Sequence, residues 1–457
     1  MKNHFKSPPK NISLKPKTFG LSGKTSLWLR RLTLYLVLGI LVVTVSHLAF
    51  SYIGFLHTDA DSARYMLSAL VQSEAAIMAI VVTLSLVTVQ LAASSYSVRV
   101  IEVFKRNPDL WILMMIYGFA IFYGLGVLKS IEGAGSESGL LSEGHISFAY
   151  YLGIFTFMAL IVYIWNMLDL LKPATMIKIL SERITESNLR SALEKDPDSD
   201  PIQPIADLIR NSLVKYESET AMIGLEQVGE CANDILKNKA LDESKREKLL
   251  EHVFHHIRRA GCLAADRSVG QPSLFAITVL HKNGKQATEQ GLHEVAWWTE
   301  LSIEWVGKMA AEQKLDLTAF HALESLEDIG NITVKQRLGC VTWWAAYALG
   351  TIGEMVAEQK HEIETLQAVK SLENVGKTAA EQEMICITWQ AMESLKHIGN
   401  IAKKQHIRNA ALQAETSLEE LEKAAEGLEI DTEKCIKESL KMIRKAIDRI
   451  NRIHMYD

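Results

Sequence analysis

The chain has little cysteine, no surplus of either charge and no catalytic signature. Each lack excludes something. Its five cysteines, Cys231, Cys262, Cys340, Cys386 and Cys435, fall in the second half of 457 residues, are odd in number and form no Cys-x-x-Cys pair. A disulfide framework is not expected, and reduced thiols on the cytoplasmic side fit the pattern. Lys and Arg number 49 against 54 Asp and Glu, a formal net charge of -5. A nucleic-acid binder would carry a basic excess or stripe, so no nucleic-acid partner is expected. No Gly-x-x-x-x-Gly-Lys-Ser/Thr loop occurs. Gly133-Ala-Gly-Ser-Glu-Ser-Gly is glycine-rich, but no strand precedes it and it reads as a loop. His252, His255 and His256 stand near Cys262, with His252 and His256 one helical turn apart. No second cluster completes a metal site, so neither a metal nor a cofactor is expected. No Ser/His/Asp set or pair of intramembrane acids stands out, and the chain is not expected to be an enzyme.

Long apolar runs are also missing, but only after residue 172. The mean hydropathy of +0.07 hides this division. Before it, Leu32–Leu56, Ala75–Val98, Leu110–Leu128 and Ile146–Leu168 run without Asp, Glu, Lys or Arg. A bilayer core of ~30 Å needs about 20 apolar residues in a helix, so each run can span it. Residues 1–31 hold Lys2, Lys6, Lys10, Lys15, Lys17, Lys24, Arg30 and Arg31 and no acid. Asp59, Asp61 and Arg64 follow the first run; Arg99, Lys105 and Arg106 the second; Glu132, Glu137 and Glu143 the third; Lys172 and Lys178 the fourth. Positive charge alternates as the positive-inside rule requires, which places both termini in the cytoplasm.

The second run is unusual in its polar content. At ~100° per residue, Gln72, Thr83, Gln90, Ser94 and Ser97 fall on one face with Ala76 and Ala79, while Glu74, Ser85 and Thr88 lie on others. Polar groups facing lipid are costly, so the stripe should meet protein or water. It either packs helices, through small residues and interhelical amide bonds, or lines a polar pathway in a homo-oligomer. Glu74 is placed near the outer headgroups. Ala120 and Gly124 make a small-xxx-small pair in the third run, and His47 in the first reads as interfacial or packed.

The run Val82-Thr-Leu-Ser-Leu-Val-Thr-Val-Gln-Leu-Ala-Ala-Ser-Ser-Tyr-Ser-Val-Arg resembles the signature of an uncharacterised prokaryotic membrane family, domain of unknown function 2254. Gln90, Leu91, Ser94, Ser95, Tyr96, Ser97 and Arg99 match its pattern; Ala93 and Val98 depart from it. The resemblance covers about residues 30–220 and implies a prokaryotic plasma-membrane protein, with no activity attached.

The charged half repeats. Gly261, Gly284, Gly307, Gly330, Gly353, Gly376 and Gly399 stand 23 residues apart. Val or Ile precedes most of them; from Gly284 onward Leu or Ile lies four before, Ala eight before (Thr299 excepted) and Gln six after. Offsets of -8, -4, -1 and 0 trace one apolar helical face. A second period of 46 relates Trp297, Trp343 and Trp389, and Trp298 with Trp344. Alternate repeats thus sit in different surroundings. One helix of about 18 residues per repeat, paired into 46-residue hairpins, matches the HEAT/armadillo size range; two short helices broken at each Gly is the other option. The Ala-x-x-x-Leu-x-x-Ile-Gly pattern resembles HEAT-like repeats. The tryptophans either fill the core or anchor a partner, and the Gln/Glu/Lys repeat ends read as solvated helix ends.

The expected fold is all-α. A basic cytoplasmic segment (1–31) precedes a four-helix transmembrane domain (32–171), a helical connector (172–254), a cytoplasmic α-solenoid (255–427) and a capping helix (428–457) bearing Ile436, Leu440, Ile443, Ile447 and Ile450. The expected partners are the lipid bilayer, a second copy of the chain and a cytoplasmic protein held by the solenoid. A channel or transporter regulated by the repeats is the alternative.

Overall fold

The computed structural model describes residues 22–53, 60–95, 101, 104, 108–133, 139–194, 200–426, 428 and 430–453. These residues are all-α, with no strand among them. They divide into two compact units, one of residues 1–91 and 102–170, the other of 92–101 and 171–457. Ser97 and the basic residues Arg99, Lys105 and Arg106 lie outside the described residues, as does most of the basic N-terminal segment.

The first unit holds α1 (Ser22–Ile53), α2 (Ala60–Ser95) as far as Leu91, α3 (Pro108–Gly133) and α4 (Gly139–Leu170). Each contains a window apolar and long enough to cross a membrane. α4 packs against α1 and α3. Small residues admit α2: a Cβ on Gly124 would stand 2.6 Å from Val71, and one on Gly153 would stand 2.8 Å from Leu70. Leu67 joins Val127, Ile131 and Ala149 in a buried cluster. α2 begins well before Ala75, where the apolar run starts. Asp61 and Arg64, which read as loop, belong to it: they pair at 3.4 Å, and Arg64 Nη2 donates to the Ile131 carbonyl at 3.1 Å. That bond serves a carbonyl near the end of α3, where the helix leaves acceptors unsatisfied.

The second unit opens with α5 (Pro173–Ser181), α6 (Glu186–Glu194) and α7 (Gln203–Val214). A stack follows: α8 (Ser218–Lys237), α9 (Glu243–Asp266), α10 (Gly270–Glu289), α11 (His293–Glu312), α12 (Asp316–Lys335), α13 (Gly339–Glu358), α14 (Glu362–Glu381), α15 (Ile385–Lys404) and α16 (Arg408–Ala424). From α8 onward each helix packs against the next and the next but one. The stacking therefore reaches back to Ser218, ahead of the first regular repeat.

One uninterrupted helix of 20 residues fills each repeat from α10 to α15. The recurring Gly lies inside it and breaks nothing. The reason for the Gly is close crossing. A Cβ on Gly307 would sit 2.8 Å from Ala322 Cβ in the next helix and 2.7 Å from Ile352 Cδ1 in the next but one. Gly353 meets Ala368 and Ile398 in the same way, at 2.8 and 2.5 Å. The -8 alanine and the -1 Val or Ile are thus the two partners of the missing side chain.

The chain reverses seven residues after each Gly. Ser268, Gly291, Lys314, Arg337, Lys360, Glu383 and His406 all have positive φ, from 56° to 78°. Around Lys314, its N–H bonds to Ala311 O at 3.0 Å and the Leu315 N–H to Ala310 O at 2.8 Å. This is the Schellman arrangement, which satisfies two orphan carbonyls and ends the helix. The recurring Gln is the C-cap residue before it. It is more than a solvated end: Gln336 Nε2 donates to Thr288 O at 3.0 Å, capping the helix two places earlier.

The last helix, α17 (Thr432–Ile453), packs against α15. It presents Cys435 and Ser439 inward and leaves Ile436 and Leu440 exposed. The isoleucine stripe therefore does not face the array at these positions, contrary to the capping geometry expected of it. The side chains of Ile447 and Ile450 lie outside the described residues.

Candidate functional site

Three groups of polar or aromatic residues merit separate description. The first is on α2. Its face toward the bundle carries Ala63, Leu67, Val71, Glu74, Val81, Ser85 and Thr88, all buried. This seven-residue rhythm places the polar Glu74, Ser85 and Thr88 inside. Glu74 Oε1 accepts from Thr156 Oγ1 of α4 at 3.2 Å, and Ser85 Oγ lies 2.6 Å from the Tyr163 hydroxyl. Tyr117 of α3 donates to the Thr156 carbonyl at 3.2 Å. Glu74 is therefore buried within the bundle, about 20 Å along α2 at 1.5 Å per residue. Gln72, Thr83, Gln90 and Ser94 point outward. Thr83 bonds back to Ala79 O at 2.9 Å, and Gln72 Nε2 reaches Ser68 Oγ at 3.4 Å. His47 Nδ1 is 3.2 Å from the Tyr151 hydroxyl, a packed histidine.

The second group is aromatic. Trp297 and Trp298 of α11 and Trp343 and Trp344 of α13 are buried, while Trp389 of α15 is half-buried. Trp297 meets Trp344 with centroids 5.8 Å apart, and Trp343 stacks on Tyr347 at 5.4 Å. The indoles thus run as a ladder between alternate helices. Two acids lie beside this register on α11. Glu304 pairs with Lys308 at 2.5 Å, and Lys308 stands 5.9 Å over the Tyr347 ring. Glu300 is fully buried, and neither oxygen has a hydrogen-bond partner among the described residues. Burial, with the Glu304 charge adding to it, raises its pKa well above the ordinary 4.5. Nothing in its pattern distinguished this glutamate in the sequence. The other helix set carries a polar ladder: Asp328 takes Lys285 at 2.7 Å and His281 at 2.9 Å, and Glu327 takes Asn374 and Ser371 at 2.7 Å each.

The third group joins residues far apart in sequence. His252 and His256 of α9 bring both Nε2 atoms onto one oxygen, Asp200 Oδ2, at 3.1 and 3.0 Å. Asp200 lies just before α7 and is held by its own bond from the Ile202 N–H at 3.0 Å. Sequence reasoning found the histidine pair and missed this partner. Burial works to raise the Asp200 carboxyl, but the hydrogen bonds and charges of His252 and His256 outweigh it and hold it below the carboxylate range. Burial lowers the His256 imidazole, against the pull of Asp200. His255 turns elsewhere, its Nδ1 lying 3.0 Å from Arg258. Asp316, His361 and Glu364 form a second, more exposed grouping.

No curated protein matches the chain. Among solved structures it is similar to a circular tandem repeat protein with novel repeat topology and enhanced subunit contact surfaces, at 12% identity and a TM-score of 0.36, over 92% of this chain and 99% of that one. Residues 24–220 match the family described as predicted membrane protein (DUF2254). Given its four apolar helices and its helical-repeat solenoid, the chain is a membrane protein whose residues 24–220 are similar to that family.

Proposed function

We propose that this chain is a non-enzymatic anchor in a prokaryotic plasma membrane, with both termini in the cytoplasm and the solenoid offered to a cytoplasmic protein. The observation that carries the reading is the stack itself. Successive helices end in the same left-handed turn and bury one continuous core, an architecture whose extended surface suits protein recognition. The polar side chains between alternate helices hold repeats to one another, and the tryptophans of α11 and α13 fill the core. Partner contacts therefore fall to exposed side chains such as Leu317 and Ile363, 46 residues apart on matching helices. The charge alternation around the spans supports the orientation. The outward position of Gln72, Thr83, Gln90 and Ser94 supports a homo-oligomer in which a second copy covers them, since amides facing lipid are costly.

Proximity labelling in cells, with the labelling enzyme fused to the C-terminus, tests this. A cytoplasmic protein should be enriched, and Leu317→Glu with Ile363→Glu should abolish the enrichment. The same labelled set from wild type and variant would count against it.

A second reading rests on Glu74, Ser85 and Thr88, the polar file inside the bundle. A channel or transporter regulated by the repeats would use it, or would run between copies along Gln90. Flux into proteoliposomes, comparing wild type with Glu74→Gln and Gln90→Leu, separates the two routes. Absence of flux in all three removes the reading.

A further inference from the structure

We propose that Asp200, His252 and His256 form a binding site for one first-row divalent cation, zinc by its ligand chemistry, which pins the segment before α7 to α9. Three observations carry this. The ligand atoms converge: one from each of Asp200, His252 and His256 lies within 4.8 Å of the others. Bond lengths of about 2.0–2.1 Å around a tetrahedral zinc put neighbouring ligand atoms about 3.3 Å apart. The two N···O separations of 3.0 and 3.1 Å are already close to that spacing. Little rearrangement is needed beyond moving each imidazole proton from Nε2 to Nδ1.

The second observation is the register. His252 stands nine residues before Gly261, where α11 and α13 carry Trp298 and Trp344. The position that stacks indoles in later repeats thus carries an imidazole here, and Asp200 meets it from outside the array. In the alternate set that α9 belongs to, this register holds Trp298, Trp344 and Gln390, and His252 there reaches a carboxylate from outside the array. The third is burial. The Asp200 and His256 side chains are 10% and 7% exposed, while His252 is 23% exposed. A buried carboxylate with two imidazoles presents negative charge and two soft nitrogens in a partly closed site. Two His and one carboxylate leave a fourth position for water, as in three-ligand zinc sites. Zinc, cobalt and nickel all suit imidazole; a hard oxygen-seeking cation does not.

The test uses the full chain, purified in detergent without an affinity tag and stripped with chelator. Zinc chloride is titrated against a chromophoric chelator, and bound metal is counted by mass spectrometry. Wild type and His255→Ala should each hold one zinc per chain. His252→Ala and Asp200→Asn should bind at least about 100-fold more weakly, beyond the 10–100-fold that loss of an outer-shell partner brings. Failure of wild type to hold stoichiometric zinc overturns the proposal, as does unchanged affinity in His252→Ala. Because a variant can misfold, wild type is also loaded with cobalt chloride: visible ligand-field absorption saturating at one equivalent supports the site, and its absence overturns it.

Discussion

The sharpest perturbation is a single methyl group on Gly284. In an unobstructed helix interior, Gly→Ala stabilises by about 1 kcal/mol. Here the new Cβ would lie 2.7 Å from Thr299 Cβ and inside van der Waals contact of Cγ2 and Oγ1. Thr299 cannot turn away. It is fully buried, β-branched, and tied through Oγ1 to the Val295 carbonyl at 2.8 Å. Overpacking of this kind costs about 1–3 kcal/mol, and a clash with a stiff side chain belongs at the upper end. The net expectation is a loss of about 2 kcal/mol, or about 4–8 °C in Tm by the scaling for domains of this size. Gly399→Ala is the control. Its Cβ would meet only Ala414 Cβ, at 3.2 Å, so the helical gain roughly cancels the crowding and Tm stays near wild type.

Thr299→Ala restores the alanine found at the other -8 positions from α10 to α15. Combined with Gly284→Ala it removes the Cγ2 and Oγ1 contacts and leaves only the Cβ–Cβ approach at 2.7 Å, so it should recover at least about 1 kcal/mol, a coupling typical of touching residues. Thermal unfolding of the detergent-solubilised chain, followed by far-ultraviolet circular dichroism, reads all four variants. The close-crossing account fails if Gly284→Ala melts at or above wild type, or if Thr299→Ala rescues nothing.

Other outcomes follow from the same geometry. Lys360 sits at φ 66°, where a non-glycine residue is disfavoured by about 1–2 kcal/mol; Lys360→Gly should raise Tm by a few degrees, and a fall would refute the turn assignment. The folded Glu300 keeps its proton above the ordinary 4.5 of the unfolded chain, so the folded state binds more protons in that window and stability falls as pH rises through it. Glu300→Gln, which has no proton to lose, should therefore melt higher than wild type at pH 8 and equal to it at pH 4; a pH-independent difference would refute the buried-acid assignment. Cys386 and Cys435 lie with sulfurs 2.8 Å apart, and burial, Cys435 and Glu438 push the Cys386 thiol up. An added dithiol oxidant should link the two, taking two electrons and two protons, faster at pH 9 than at pH 7; mass spectrometry of the peptides detects the bridge, and its absence at both pH values would refute the contact.

The period, the apolar face and the four spans were legible because each is a local pattern that recurs or runs on. What escaped has physical reasons. The left-handed turn was hidden because six of its seven occupants are Ser, Lys, Arg, Lys, Glu and His, not the Gly that usually marks it. The conspicuous Gly, lying inside the helix, drew attention to the wrong place for a break. The start of α2 was obscured because Asp61 and Arg64 satisfy each other and the Ile131 carbonyl, contacts a hydropathy reading does not see. A helical projection groups Gln72, Thr83 and Gln90 correctly, but says nothing about which face meets the bundle; Gly124 and Gly153, on other helices, settle that by admitting Val71 and Leu70. Asp200 is 52 residues from His252, beyond any motif.

The two nested periods have one cause. Each recurring Gly must accept the -8 residue of the following helix and, in most repeats, the -1 residue of the helix after that. One position thus serves two interfaces, and the small residue is required in every repeat. The larger side chains serve one interface each, between helices two apart. Alternate sets are therefore free to diverge: indoles on α11 and α13, a ladder of Asp, Glu, Asn and Lys on α10, α12 and α14. Pairs in that ladder are separated by 43 to 47 residues, which is the 46-residue period seen in space. A substitution at a Gly should therefore disturb three helices, whereas Asp328→Ala should disturb only α10 and α12.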